Sequence, residues 1–590
     1  MFLRKCYRDK NGRRHAYWAL VESYRTARGP RQRVVAYLGD MDEDARESYR
    51  NTLDGEAEPD LFRGRPPEYV EVDIENMSLE RCKEFGGCWL GMELMKKLGL
   101  PGWAEKTIPG SRGDIPWSQM LSVLVICRFC RPSSELHIAE HFYESTALSD
   151  LLGIPDEKVN CDRLYRALDH IIPYKKELEV HLKEKMGELF KVEYELLLYD
   201  VTSTYFEGEA NANALAARGY SRDQRPDCKQ VCIGLVVTKE GIPLGYEIFA
   251  GNTQDVTTVK HIILTMEARY GKAGRIWVMD RGMISKENLE FLRDGRRYIL
   301  GAQRSLLKKF KEEFLEDNWK KIRPDLEVKI CRSPGENDVF ILCRSGARKE
   351  KEKAIHERFA SRIEKGLRKI QTGCSRRKYS LQVIAERIGA LTGRNSRASS
   401  LFDISYVQRR DGGTQITWSF NREQQEWLEK SDGAYVLQSN VTDWSAEDLW
   451  KAYIQLTDAE EAFRIHKTDM KMRPVWHQKT ERVEAHIFVC FLAFVLWKTL
   501  EKIAGESGLG NCPRKIIDEL SNIKMLDVIL KTRNGITIRR RCVTRPTDHQ
   551  AILLHHLKMN VPTHLAIREC SEDFQDRFVD LQGVAMRKTP

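Results

Sequence analysis

The clearest run of alternating texture begins at residue 193. Apolar, β-branched stretches at Tyr194–Asp200, Gln230–Thr238 and Pro243–Ala250 read as strands, the last two joined by a tight Lys239-Glu240-Gly241 turn. A helix is predicted over Val256–Tyr270, a strand over Arg275–Asp280, a helix over Ser285–Asp294 and a strand over Tyr298–Ala302. Upstream, residues 78–190 carry mostly helical periodicity, broken at Pro101, Pro116 and Pro173. Residues 16–39 read as a β-hairpin around Arg28-Gly29-Pro30, followed by an acidic, Pro-bearing linker from Asp40 to Pro67. Downstream, a charged helix is predicted at Lys349–Gln371 and a β-like piece at Gln415–Phe420. A strand is predicted at Asp432–Asn440, then a long helix starting at Ser445, where Ser445-Ala-Glu-Asp448 has capping-box spacing.

Three antiparallel strands followed by helix, strand, helix and strand is the order of a ribonuclease-H-like core. The predicted fold is therefore α/β, with that core interrupted by a basic, β-containing insertion and preceded by an N-terminal hairpin and a helical domain. The expected divisions are a basic hairpin region and linker (1–70), a helical domain (78–190), the core in two parts (193–303 and 431–505), the insertion (304–430) and a C-terminal helical and β region (506–590).

Composition sharpens this picture through the placement of charge. The 590 residues carry a formal charge of +10. Residues 304–430 hold 29 Lys/Arg against 18 Asp/Glu, and residues 1–33 hold 10 against 2. A polyanion is the natural partner of two such concentrated basic stretches. The start, Met-Phe-Leu-Arg-Lys, lacks a long apolar h-region, so no secretory leader is expected, and the 15 cysteines are expected to be reduced in a cytoplasmic setting. Cys127-x2-Cys130 with His137 and His141 is too compact for a zinc finger, and these cysteines are read as part of an apolar helix. The longest apolar stretch, Ile487 to Trp497, is shorter than the roughly 20 residues that span a bilayer and is read as a core helix.

Candidate chemistry lies in three acids. Asp200 and Asp280 each close an apolar strand run, and Glu460 lies on the predicted long helix. Attack on a DNA phosphate requires activation of the attacking oxygen and stabilisation of the leaving oxygen, and two divalent ions held by carboxylates can do both. Spacings of 3, 4 and 7 place Tyr453, Leu456, Glu460, Arg464 and Lys467 on one helical face, with Glu461 about 100° away. Taken singly, a strand-end Asp is usually a turn residue and a Glu-x3-Arg pair an exposed ion pair. The joint pattern is what points to a metal site.

The segments Tyr199-Asp200-Val-Thr202-Ser-Thr204-Tyr-Phe-Glu207-Gly208, Met279-Asp280-Arg281-Gly282-Met283 and Tyr453-x2-Leu-x3-Glu460-x6-Lys467 resemble the DDE transposases of bacterial insertion sequences. More narrowly they resemble the IS4-like subgroup with a β-rich insertion and a Tyr-x2-Arg-x3-Glu-x6-Lys helix. Lys471-Met-Arg473-Pro474-Val475 with His477 and His486 fits as well, whereas Leu456 stands where the subgroup has Arg. The resemblance implies cut-and-paste transposition: a homodimer binds terminal inverted repeats in double-stranded DNA, cleaves with Mg2+ or Mn2+, as two ions, and joins the ends to target DNA. It implies that Asp200, Asp280 and Glu460 bind metal and that Tyr453 and Lys467 contact end DNA. Thr202 and Arg281 are expected as phosphate or supporting contacts, Arg464 as a substitute for the missing Arg, and Trp418 as the aromatic that stabilises a flipped base, with Trp427 and Trp319 as competitors. Two other readings are a nuclease that cleaves without joining and a DNA-binding regulator without catalysis.

Overall fold

The computed structural model describes residues 2–10, 13–26, 29–39, 70–111, 115–332, 338–409, 412–533 and 535–567. At the N-terminus, β1 (Phe2–Lys10), β2 (Arg13–Thr26) and β3 (Gly29–Gly39) form an antiparallel three-stranded sheet. The predicted hairpin corresponds to β2 and β3. β1 is hidden in the sequence because five of its nine residues are charged, which masks the alternation that its pairing with β2 reveals. The linker expected from Asp40 to Pro67 lies outside the described residues.

Where the sequence predicts helical texture from residue 78, the chain instead forms strand β4 (Val72–Glu84), which is almost entirely exposed. Its partner lies far downstream at residues 524–532, so no local periodicity encodes it. Helices then follow at Gly86–Lys97, Leu100–Thr107, Trp117–Cys130, Cys161–Ile171 and Lys175–Phe190. Pro101 occupies the first turn of the second, and the Asn160 side chain caps the fourth by accepting from the Arg163 N–H. Cys127 is buried on Trp117–Cys130, Cys130 is half-buried at its end, and His137 and His141 are exposed.

The central sheet contains β5 (Leu196–Tyr205), β6 (Gln230–Thr238), β7 (Pro243–Ala250), β8 (Ile276–Met279), β9 (Arg297–Gly301), β10 (Lys320–Arg323), β11 (Leu326–Arg332) and β12 (Val339–Ser345). After the separate hairpin of β13 (Phe402–Gln408) and β14 (Thr414–Phe420), β15 (Ala434–Ser439) completes it. Among the described residues its order is β10-β11-β12-β15-β9-β8-β5-β6-β7. β5, β6 and β7 are mutually antiparallel, whereas β8 runs parallel to both β5 and β9.

Period-two alternation along β5 divides two cores. Leu197, Tyr199 and Val201 face the helices Asp255–Tyr270 and Lys286–Arg293 through Val259, Ile263 and Leu292. Leu196 and Leu198 face the other side, where Leu456, Ala459, Phe463 and Phe491 pack. Phe491 belongs to the 27-residue helix Thr480–Glu506. That helix is longer than the apolar run in the sequence and is long and apolar enough to cross a bilayer, yet 94% of its most apolar window is buried inside the fold.

The stretch expected as one insertion is structurally of two kinds. β10 to β12 prolong the central sheet beyond β15. The helices Gly346–Arg376 and Leu381–Arg394 instead pack with β13 and β14 around a core of their own that includes Ile363, Leu367, Ile384, Phe402 and Ile416. Finally, β16 (Lys524–Thr532), β17 (Thr537–Val543) and β18 (His564–Leu565) join β4 in a four-stranded sheet. Fully buried Asp527 is held there by Arg539 and Arg541.

Candidate active site

Asp200 does not end its strand. The β-branched and aromatic residues after it, Val201, Thr202, Thr204 and Tyr205, carry β5 five residues further. β8 pairs with β5 in parallel only from Leu196↔Ile276 to Tyr199↔Met279, and Asp280 is the first residue beyond that ladder. The two aspartates therefore occupy matching levels on neighbouring strands. Asp280 precedes the short turn Arg281–Met283 without capping it, and its Oδ1 accepts a hydrogen bond from the Tyr453 hydroxyl at 3.3 Å.

Gly301, at the end of β9, makes that contact possible. A Cβ there would overlap the Tyr453 hydroxyl and lie 3.1 Å from its Cζ and 3.2 Å from the Arg281 nitrogen. Only a residue without a side chain lets the tyrosine reach Asp280.

Asp200 accepts from the Val201 N–H at 2.8 Å. Its carboxyl is pushed up to about 7, chiefly by burial and further by the charges of Asp280 and Glu460, while the Val201 N–H and Arg222 pull it back. Glu460 reaches this neighbourhood from the helix Leu456–Arg464, whose apolar side packs on β5, and it is itself exposed. The charges of Asp280 and Glu460 thus bear on Asp200, and together the three supply an all-oxygen donor set of the kind that suits a hard divalent cation.

The helix carrying Glu460 is not the continuous rod that the spacing predicts. It breaks at Gln455 after Ala446–Ile454 and widens into a π turn over Ile465–Asp469. The Ser445 hydroxyl caps its start by accepting from the Asp448 N–H. The side chains of the predicted stripe have separate partners. Leu456 is buried in the core. Arg464 is drawn aside to Glu461 at 3.2 Å and Asp469 at 3.3 Å. Lys467 is turned inward onto buried Asp223 at 2.8 Å, and burial lowers its pKa.

The remaining expected contacts also divide. Arg281 is exposed beside Asp280, whereas Thr202 is 4% exposed on the Asp200 face of β5, so its hydroxyl is not a surface contact. Trp418 is half-buried against the core around Ile416 and Phe402, and Trp319 and Trp427 pack beside Phe314.

The loop between β5 and β6 supplies groups that the sequence pattern does not single out. Arg222 spans both oxygens of Asp255 at 2.5 Å, and its charge acts on Asp200. Its neighbour Asp223 takes Lys467 and Arg473, which ties the loop to the segment after the third acid. The available signal is length: a polar connection of more than twenty residues between paired strands is uncommon unless it serves a site.

Comparison with curated proteins gives no match. Two protein families do match. Residues 3–61 fit the N-terminal domain of the IS1634 family of transposases, which corrects the IS4-like grouping suggested by the helix motif. Residues 192–496, just over half of the chain, fit the transposase DDE domain. With acids from β5, the end of β8 and the Leu456–Arg464 helix all inside that span, the chain belongs to the DDE transposases of insertion sequences, enzymes that cleave DNA with divalent metal.

Proposed function

We propose that the protein moves an insertion sequence by cut-and-paste transposition, with Asp200, Asp280 and Glu460 as the carboxylates that hold two Mg2+ or Mn2+ ions on a ribonuclease-H-like core. The observation that carries this reading is the placement of Asp200 and Asp280 at matching levels of adjacent parallel strands, with the Glu460 helix packed on the same sheet so that the charges of Asp280 and Glu460 act on Asp200. The order β7-β6-β5-β8-β9, with its three antiparallel and two parallel members, supports the core assignment. When bound, the ions activate the attacking oxygen and stabilise the leaving oxygen of the phosphodiester.

The chain's own residues then have separable tasks. Tyr453 orients Asp280 through its hydroxyl, and Arg281 faces the substrate beside it. Arg222, locked by Asp255, offsets charge at Asp200. Lys467 acts from within, through Asp223, to seat the β5–β6 loop. The basic stretches 1–33 and 304–430 bind the backbone of terminal inverted repeats and target DNA, and two copies pair the ends.

The test uses linear DNA carrying both ends of the element. Nicking should require Mg2+ or Mn2+ and be poorly supported by Ca2+, which coordinates loosely. Glu460→Gln should bind and pair ends without nicking them, while Glu461→Gln, whose carboxylate is engaged with Arg464, should nick normally. Robust nicking in EDTA, or the reverse pattern at 460 and 461, would overturn the assignment.

A further inference from the structure

Behind the active site, three potential metal ligands meet in the core. Glu135 comes from the N-terminal helical layer, His477 from the segment after the third acid, and His486 from the first turns of Thr480–Glu506. All three are buried, and one donor atom from each lies within 4.8 Å of the other two. His477 Nε2 is 3.5 Å from Glu135 Oε1. His486 Nε2 lies 3.2 Å from the Met472 carbonyl, to which it donates its proton. That leaves Nδ1 as a lone pair, and this atom is buried without a hydrogen-bond partner.

We infer that Glu135, His477 and His486 form a structural site for a divalent transition-metal ion of the zinc class, separate from the catalytic carboxylates. Two imidazoles and one carboxylate are a borderline donor set that favours zinc over magnesium. Zinc–ligand bonds of about 2.0–2.2 Å place tetrahedral donors about 3.3–3.5 Å apart, so the His477–Glu135 pair is already at that spacing and His486 needs only a small side-chain adjustment. The backbone carbonyl that holds the outer nitrogen of His486 is the usual support of a metal-bound imidazole.

Where His477 Nε2 faces Glu135 Oε1, a bound ion would take the place of the proton between them. Arg128 faces the cluster as well. It is directed to the carbonyls of Met470 and Lys471 at 3.4 and 3.5 Å, and the Glu135 charge offsets it.

The ion would brace the catalytic layer. Between Glu460 and His477 the chain places Arg473 on Asp223 and hydrogen-bonds Val475 to Tyr205 and Glu207 at the end of β5. Anchoring His477 to two other parts of the fold fixes this segment, and with it the loop that carries Arg222.

The test is elemental analysis of full-length, untagged protein, combined with melting. About one zinc per chain is expected in the wild type and in the Asp200→Asn, Asp280→Asn, Glu460→Gln triple variant, and at least tenfold less in His477→Gln or His486→Gln. A strong chelator should lower the wild-type melting temperature, and added Zn2+ but not Mg2+ should restore it, a readout that survives if the histidine variants fail to fold. The inference is overturned if the wild type neither contains nor takes up Zn2+ or Co2+, or if bound metal disappears with the catalytic acids and persists in the histidine variants. Metal-free protein that melts identically with and without Zn2+ would identify the cluster as an ordinary hydrogen-bonded core network.

Discussion

Gly301→Ala isolates the tyrosine contact that orients Asp280. The new methyl group would overlap the Tyr453 hydroxyl and sit 3.1 Å from Cζ and 3.2 Å from the Arg281 nitrogen. Normal carbon contacts are about 3.5–4.0 Å, so the ring must retreat by roughly 1 Å, and the 3.3 Å hydrogen bond to Asp280 is broken. Overpacking of this kind costs about 1–3 kcal/mol, and the smaller backbone entropy of alanine in the unfolded chain returns about 0.4–1 kcal/mol. A net loss of about 1–2 kcal/mol follows, a fall of roughly 1–3 °C in melting temperature for a cooperative unit the size of the catalytic domain. The assay is a four-protein cycle of wild type, Gly301→Ala, Tyr453→Phe and the double variant, melted by intrinsic fluorescence at one scan rate. Tyr453→Phe removes the worst overlap and leaves the two tight contacts, so the double variant should be more stable than the sum of the singles predicts, by about 1 kcal/mol. A Gly301→Ala protein as stable as wild type, or additive singles, would refute the packing argument.

Lys467→Ala breaks a buried pair and leaves Asp223 to Arg473 alone; it should cost about 1–3 kcal/mol in melting experiments, whereas unchanged stability with weakened DNA binding would return the lysine to a direct DNA contact. Charge reversal at Arg376, Arg377 and Lys378 should lower the salt dependence of DNA binding by roughly one unit of slope for each phosphate no longer neutralised, and an unchanged slope would show that this charge faces only solvent. Buried His466, its Nδ1–H donated to Ala462 at 2.8 Å and its ring against Phe494, has its pKa lowered to about 4 by burial. Between about 6.5 and 4 the unfolded chain binds this proton and the folded chain does not, so stability falls as pH drops through that window, by up to roughly 3 kcal/mol, and levels off below it. The melting temperature of His466→Leu should be less sensitive across the same range, and parallel curves would remove His466 as the cause.

Elements whose pattern is local were legible from the residues alone. β6 and β7 have the predicted bounds, because apolar, β-branched runs ended by turn residues need no distant information. The same holds within a residue for the helix Asp255–Tyr270 and the strands around Asp280 and Gly301. The three proposed acids also stand out in the sequence, each against an apolar run or on a helical face.

Whatever depends on partners distant in sequence was settled by folding. β4 exists because β16 pairs with it 440 to 460 residues later, and β10 to β12 extend the central sheet because β15 accepts β12. Helical spacing placed Arg464 and Lys467 beside Glu460, but spacing assumes one unbroken helix. Arg464 stays on the same helix as Glu460, but its ion pairs with Glu461 and Asp469 claim it, and the π turn at Ile465–Asp469 turns Lys467 to Asp223. Arg222 and Asp223 lie in a connection with no periodicity, and charge selects them only once β5, Asp255 and Arg473 have been brought together. A linear pattern records which face of an element is apolar; which charge meets which is set by the folded chain, because Coulomb and hydrogen-bond energies depend on distances that the order of residues does not contain.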